Sequence, residues 1–218
     1  IITPSHWMKD KIQRILHKKK QVQVIPNGID TQLFKYKARS NNYRILSVRP
    51  LGDKVYDIES TIKLMRFLPN KYTLDIYGKG RYIKYYNKLI VNQGLSSRVK
   101  IINNFIERHE MNNIFHNYSI YISTTKLDTQ GVTMLEAMSC GLLVASISNS
   151  SKKEFIEDSK TGILADNISD LSKKILNVLN SGIYNDIVIS GRESVKKIDI
   201  KKTCKLEIQL LKDLYNKK

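Results

Sequence analysis

The sequence predicts an α/β fold: a doubly wound, mostly parallel sheet of the Rossmann-like kind. Short apolar runs rich in β-branched residues alternate with helix-length segments, and those segments carry apolar residues at helical spacing. Turns bearing glycines or cations follow several of the strand runs, so polar chemistry gathers at strand carboxyl ends, where such folds bind ligands.

The segment from Ile1 to Ile12 reads as structured, and the first strand run is Val22 to Ile25. Pro26-Asn-Gly-Ile-Asp30 then predicts a turn, with Asn27-Gly28 supplying left-handed positions and Phe34 packing back. Further strands are expected at Tyr43 to Val48, Tyr72 to Tyr77, Val99 to Ile102, Ser119 to Ser123, Leu142 to Ser146 and Gly162 to Leu164. Helices are expected at Ile58 to Phe67, Tyr82 to Val91, Met111 to His116 and Val132 to Ser139. Beyond Gly162 the chain turns helical, at Leu171 to Leu179, Ile183 to Ser190 and Cys204 to Tyr215. In the last of these, Leu206, Leu210, Leu211 and Leu214 form an apolar stripe expected to pack on the domain's own sheet. Without repeats or low-complexity linkers, residues 1–218 read as one domain ending in a helix over 199–218. Because Ile1 falls inside a structured segment, the expectation is that the chain is part of a longer protein.

Composition narrows the function classes. With 41% hydrophobic residues in 218, the chain can bury a substantial core. No apolar run approaches the ~20 residues that span a bilayer, and nothing resembles a signal peptide. Cys140 and Cys204 are far apart with no CxxC spacing, which argues against a zinc site or disulfide framework and fits a reducing cytoplasm. The net charge of +17 predicts attraction to polyanions. The cations, including the run Lys18-Lys19-Lys20, are not interleaved with aromatics as in nucleic-acid binders. Nucleic acid is therefore set aside as a partner, and contact with an anionic membrane surface is expected as a secondary trait.

The most informative stretch is Asp128 to Gly141, where Asp128 and Glu136 have seven residues between them. A strand run ending at Ser123 delivers a turn, and the turn opens a helix whose first N–H groups, at Gly131, Val132 and Thr133, suit a phosphate. Two hydroxyl-binding carboxylates then flank an anion site, the pattern of groups on a sugar nucleotide. A second anion element is Arg49-Pro-Leu-Gly-Asp-Lys54 at the end of another strand run, where a guanidinium and an ammonium can close on one diphosphate. Gly78-Lys-Gly80 lacks the third glycine and the acidic residue of a dinucleotide fingerprint, so it reads as a tight turn lining the cleft. His6, His17, His109 and His116 share no spacing with acids or cysteines, and Glu154 reads as a first-turn helix acid.

Five features in register resemble the family-4 retaining glycosyltransferases: Pro26 to Asp30, Arg49 with Lys54, the Gly78-Lys-Gly80 turn, Gln93 to Val99, and Asp128 with Glu136. The resemblance covers nearly the whole chain and is to the carboxy-terminal, nucleotide-sugar-binding half of a GT-B fold, the acceptor-binding amino-terminal half lying outside it. It implies that Glu136 bonds the donor ribose, that Asp128 contacts hydroxyls of the transferred sugar, and that Arg49 and Lys54 hold the diphosphate. Gly131, Val132 and Thr133 would complete the phosphate cradle, with Gln130 beside the sugar. The base would lie near Asn104, Phe105 and Ile106, by Gly78. The leaving nucleoside diphosphate would be stabilised by these cations, with no metal and no cofactor beyond the substrate.

The chain departs from the family pattern at Asp128, where glutamate is usual, at Thr129-Gln130, where Gly-Phe is usual, and at Ser150-Ser151, where a glycine pair is usual. The departures bear on donor-sugar identity and leave room for an N-acetylhexosamine. The implied activity is sugar transfer from a nucleoside diphosphate sugar, UDP-linked, to a polyprenyl-diphosphate-linked saccharide in bacterial O-antigen or capsule synthesis, at the inner face of the plasma membrane. A GT-B-like epimerase or phosphorylase, and a basic membrane- or nucleic-acid-binding module, are the competing readings.

Overall fold

The computed structural model describes residues 1–16, 21–38 and 40–216; Lys18-Lys19-Lys20 and His17 lie outside them. In chain order the elements are β1 (Ile2–Thr3), α1 (His6–Ile15), β2 (Gln23–Val24), β3 (Arg44–Val48), α2 (Ile58–Leu64), β4 (Thr73–Tyr77), α3 (Ile83–Asn92) and β5 (Val99–Ile102). There follow α4 (Arg108–Phe115), β6 (Ile120–Ser123), α5 (Val132–Ser139), β7 (Leu143–Ile147), α6 (Lys152–Phe155), β8 (Ile163–Ala165), α7 (Ile168–Asn180), α8 (Tyr184–Lys196) and α9 (Ile200–Tyr215).

Six strands form one sheet in the order β5-β4-β3-β6-β7-β8, every neighbouring pair parallel. The chain winds outward from β3 through β4 to β5, returns beside β3 as β6, and winds the other way to β8. The reversal leaves a crevice between the carboxyl ends of β3 and β6, where no crossover helix covers the strand ends and a ligand can enter.

Period-two alternation divides the core. On β3, Ile45 joins the apolar cluster containing Ile62 of α2, Tyr86 of α3 and Leu171 of α7, whereas Leu46 joins the cluster containing Phe115 of α4 and Met134, Leu135 and Met138 of α5. Phe34 packs back into the second cluster as expected. Helix starts are locally specified: the Asn167 side chain accepts from Asp170 N, Ser5 accepts from Met8 N, and Glu107 with Glu110 closes a capping box.

Three expectations need correction. The strand around Val22 to Ile25 pairs with β1 in a separate two-stranded sheet, because β1, α1 and β2 form their own parallel unit instead of extending the larger sheet. The backbone at Asn27-Gly28 is not left-handed. Gly28 is needed instead for close approach, since a Cβ there would come within 2.5 Å of the Ile200 Cα at the start of α9. The stripe on α9 does not cover the sheet: Leu206, Leu211 and Leu214 are more than half exposed, at 54%, 63% and 55%. Both faces of the sheet are already taken by other helices, and α9 is held at its first turn through buried Thr203 and the Ile29–Asp199 bridge. Among the described residues, no helix is long and apolar enough to cross a membrane.

Candidate functional site

The crevice between β3 and β6 contains two adjoining cavities. One, of about 440 Å³, is lined by residues that include Val48, Gly78, Asn104, Phe105, Ile106, Arg108 and Glu136. The other, of about 360 Å³, is lined by residues that include Tyr56, Thr125, Leu127, Asp128, Gln130 and Gly131. Arg49, Pro50, Val132 and Thr133 line both, so a guanidinium and the first turn of α5 stand at the waist between them.

Arg49 follows β3 and reaches across the crevice to β6 and the loop beyond it. Its Nε donates to Thr125 Oγ1 at 3.1 Å, and one terminal nitrogen donates to Ser123 Oγ at 2.9 Å and Asp128 Oδ2 at 3.3 Å. Asp128 has a second task. Its Oδ1 accepts from Gln130 N at 3.2 Å and from Gly131 N at 2.6 Å, which caps the start of α5 from three residues upstream. Gly131 sits at φ 77°, a left-handed position that suits glycine. The Gly131 N–H expected to face a phosphate is therefore taken by Asp128, and the first-turn N–H groups of Val132 and Thr133 are the ones that a helix leaves for an anion.

Glu136 is buried, and Arg108 Nη2, from the first turn of α4, lies 3.7 Å from its Oε1. Burial pushes its carboxyl from an ordinary 4.5 up to about 7, and the positive charges of Arg108 and then Arg49 restrain the rise. A protonated fraction near neutrality follows, and ionisation there turns the group into a pure acceptor for hydroxyls.

Two expected residues are placed differently from expectation. Lys54 lies on a 3₁₀ turn over Lys54–Tyr56, opened by Asp53, whose side chain accepts from Val55 N. The turn sends the ammonium over the rings of Tyr82 and Tyr85, 5.8 and 5.9 Å from their centroids, and Lys54 lines neither cavity. Gln130 lines the second cavity, but its amide is committed elsewhere: Asn27 N donates to its Oε1 at 2.8 Å and its Nε2 donates to Asn27 O at 2.9 Å. It ties the Pro26 to Asp30 turn to the loop after β6.

Asn104, Phe105, Ile106 and Gly78 come together in the first cavity. Gly78 is pressed against the chain after β3, where a Cβ would meet Arg49 O at 1.9 Å. Glu154 is in the first turn of α6, yet its carboxylate accepts from His6 N and Trp7 N at 2.8 and 2.6 Å, and so caps α1. The Gly78-Lys-Gly80 turn brings Lys79 to the first cavity, as expected of a turn lining the cleft. Sequence reasoning missed Arg108 in the first cavity and Lys152 behind the second; a cation in the first turn of a helix that follows a lining loop was the available signal for Arg108.

A family model described as Glycosyl transferases group 1 matches residues 28–196. The UDP-N-acetylglucosamine--peptide N-acetylglucosaminyltransferase GtfA subunit of Limosilactobacillus reuteri subsp. suis is 25% identical over 160 residues, which take in 72% of this chain and 30% of that protein. The alpha-monoglucosyldiacylglycerol synthase of Acholeplasma laidlawii is 23% identical over 244 residues, covering 100% of this chain and 59% of the relative. Among solved structures, Anabaena Alr3699/HepE in complex with UDP and glucose shares the fold at a TM-score of 0.85 and 18% identity, with 97% of this chain and 62% of that one covered. The chain thus spans less than two thirds of the length of each.

Proposed function

The chain belongs to the glycosyl transferases group 1 family, and from that premise we propose that it is the donor-binding half of a retaining GT-B enzyme that uses a UDP-linked sugar. One observation carries the reading: two cavities meet at Arg49 and the start of α5, with a buried carboxylate, Glu136, at one side and Asp128 at the other. A nucleoside diphosphate sugar has the matching order of groups. The nucleoside takes the larger cavity, with its base by Asn104 to Ile106 and its ribose hydroxyls on Glu136. The diphosphate crosses the waist, against Arg49 and the N–H groups of Val132 and Thr133. The sugar takes the smaller cavity, where Asp128 has acceptor capacity beyond its capping and arginine bonds.

In the transfer step, negative charge grows on the leaving diphosphate as the glycosidic bond breaks. Arg49 is held in place by three acceptors, so it meets that charge without reorganising. Lys54 is the proposed second cation, and leaving its tyrosines costs about 0.5–1 kcal/mol, the worth of an exposed cation–π contact.

UDP as the nucleotide is supported by the Limosilactobacillus relative, which is named for UDP-N-acetylglucosamine, and by the Anabaena structure, which is a complex with UDP and glucose. The acceptor is proposed to be a polyprenyl-linked saccharide of bacterial surface polysaccharide synthesis, met at an anionic membrane face by the remainder of the protein. The net charge of +17 supports the membrane contact, as does a relative named for a glycolipid. A thermal-shift series against UDP-, GDP- and ADP-sugars tests the donor. UDP-sugars are expected to raise Tm most, since a ligand at 100 times its Kd adds about 2.7 kcal/mol; a preference for GDP- or ADP-sugars removes the uridine assignment.

A further inference from the structure

Three consecutive residues at the start of α6 grip the loop that walls the sugar-side cavity. Ser150 Oγ accepts from Asp128 N at 3.2 Å, Ser151 Oγ donates to Asp128 O at 2.8 Å, and Lys152 Nζ donates to Thr125 O at 2.5 Å. Both ends of the segment 125–128 are thereby held from one side, and Thr125, Leu127 and Asp128 line the cavity on the other. None of the residues of this loop lines the nucleoside-side cavity.

The Lys152 contact is unusual in chemistry. The side chain is fully buried at 0% exposure, and Thr125 O is its hydrogen-bond partner among the described residues. An ammonium is a costly choice for a purely structural peg, because burying a charge is expensive and an apolar side chain of similar volume fills such a space at lower cost. Its position supplies the compensation. Thr125, whose carbonyl Lys152 holds, is also the residue whose hydroxyl accepts from Arg49 Nε, and Arg49 in turn grips Asp128.

We propose that Ser150-Ser151-Lys152 is a positioning clasp for the sugar-side loop, in which the charged Lys152 holds the Thr125 carbonyl so that Asp128 presents a set geometry to the transferred sugar. The proposal rests on the nucleotide-sugar reading of the site and deepens it. Lys152 lines neither cavity and acts through Thr125, so it is a positioning residue. The clasp is also sensitive to pH. Burial first, and then the charge of Arg49, draw the Lys152 ammonium from its ordinary 10.5 down to about 7, against the opposing pull of Asp128 and Asp57. Those three groups come from the end of β3, the loop after β6 and the turn before α2; Lys153 and Glu154 are the charged residues that follow on α6 itself. As the pH rises through neutrality the ammonium discharges and its grip on the Thr125 carbonyl weakens.

The test compares the wild-type chain with Lys152→Met by calorimetry, using UDP as one probe and, as the other, whichever of UDP-glucose and UDP-N-acetylglucosamine binds the wild type more tightly. At pH 6 the variant is expected to lose about tenfold in affinity for the UDP-sugar and less than about twofold for UDP. At pH 9 variant and wild type converge on the UDP-sugar. Comparing proteins at each pH cancels the ligands' own titration, and Glu136 acts alike on both probes. A second variant, Ser151→Ala, is expected to weaken UDP-sugar binding selectively at both pH values, without the pH dependence. Undiminished UDP-sugar binding by Lys152→Met at pH 6, or an equal loss for both probes at both pH values, overturns the proposal. Absence of binding by the wild type with either probe instead removes the nucleotide-sugar reading on which it rests.

Discussion

Burying a carboxylate as deeply as Glu136 moves its proton equilibrium into the neutral range, and two measurable consequences follow. Donor affinity is expected to rise with pH up to and through about 7 as the group ionises and can accept from ribose hydroxyls. Arg108→Met removes the leading charge that restrains the shift, so the midpoint of that pH profile should move to higher pH; an unchanged midpoint would show that the 3.7 Å pair has no electrostatic role. These residues differ in how far the sequence disclosed them. The positions of Arg49 and Asp128 were legible because they follow strand ends, and that of Glu136 because it lies one turn into the helix that the second of those turns opens. The resting direction of Lys54 was not legible, because it depends on Tyr82 and Tyr85, residues far along the chain. Lys152 is not legible in the sequence, because a lysine in a polar run reads as solvated and only tertiary packing buries it.

At the scale of elements, the strands of the six-stranded sheet were legible to within a residue or so, since β-branched runs between turns leave few alternatives, whereas the two-residue β1 was too short to stand out. What a helix faces was not. The α9 stripe announces an amphipathic helix but contains no information about which surfaces other helices have already covered. Leu211→Ser on α9 should therefore change unfolding free energy by less than about 0.5 kcal/mol, as at other exposed positions; a loss of several kcal/mol would mean that the stripe is packed. On β3, Ser47 Oγ is buried without a hydrogen-bond partner among the described residues. Ser47→Ala removes a desolvated hydroxyl and is expected to stabilise the chain by about 1 kcal/mol in chemical denaturation, whereas destabilisation would reveal a partner for the hydroxyl.

For the whole molecule, Glu136 and Lys152 shape stability in opposite pH windows. Glu136 has a folded pKa above its unfolded one, so its contribution is fully present below about 4.5 and is lost as pH rises to about 7. Lys152 has a folded pKa below its unfolded one, so the unfolded chain holds the extra proton between about 7 and 10.5, and stability climbs across that window. Together they favour a minimum near neutrality. Glu136→Gln should remove the acid limb and Lys152→Met the alkaline one, read as Tm against pH; limbs that persist in the variants would assign them to other groups. The doubly wound parallel sheet was legible from element order, whereas the strand order that places the reversal between β3 and β6 comes from the tertiary pairing, and the reversal is what brings Arg49 and the loop after β6 to one crevice. The central claim is that this crevice binds a nucleoside diphosphate through Arg49 and Glu136 together. Calorimetric titration of UDP into the wild type, Arg49→Ala and Glu136→Ala tests it most directly. The expected result is a tenfold or greater loss in each variant, the worth of a charged hydrogen bond at about 1.5–3 kcal/mol; undiminished binding in both would contradict it.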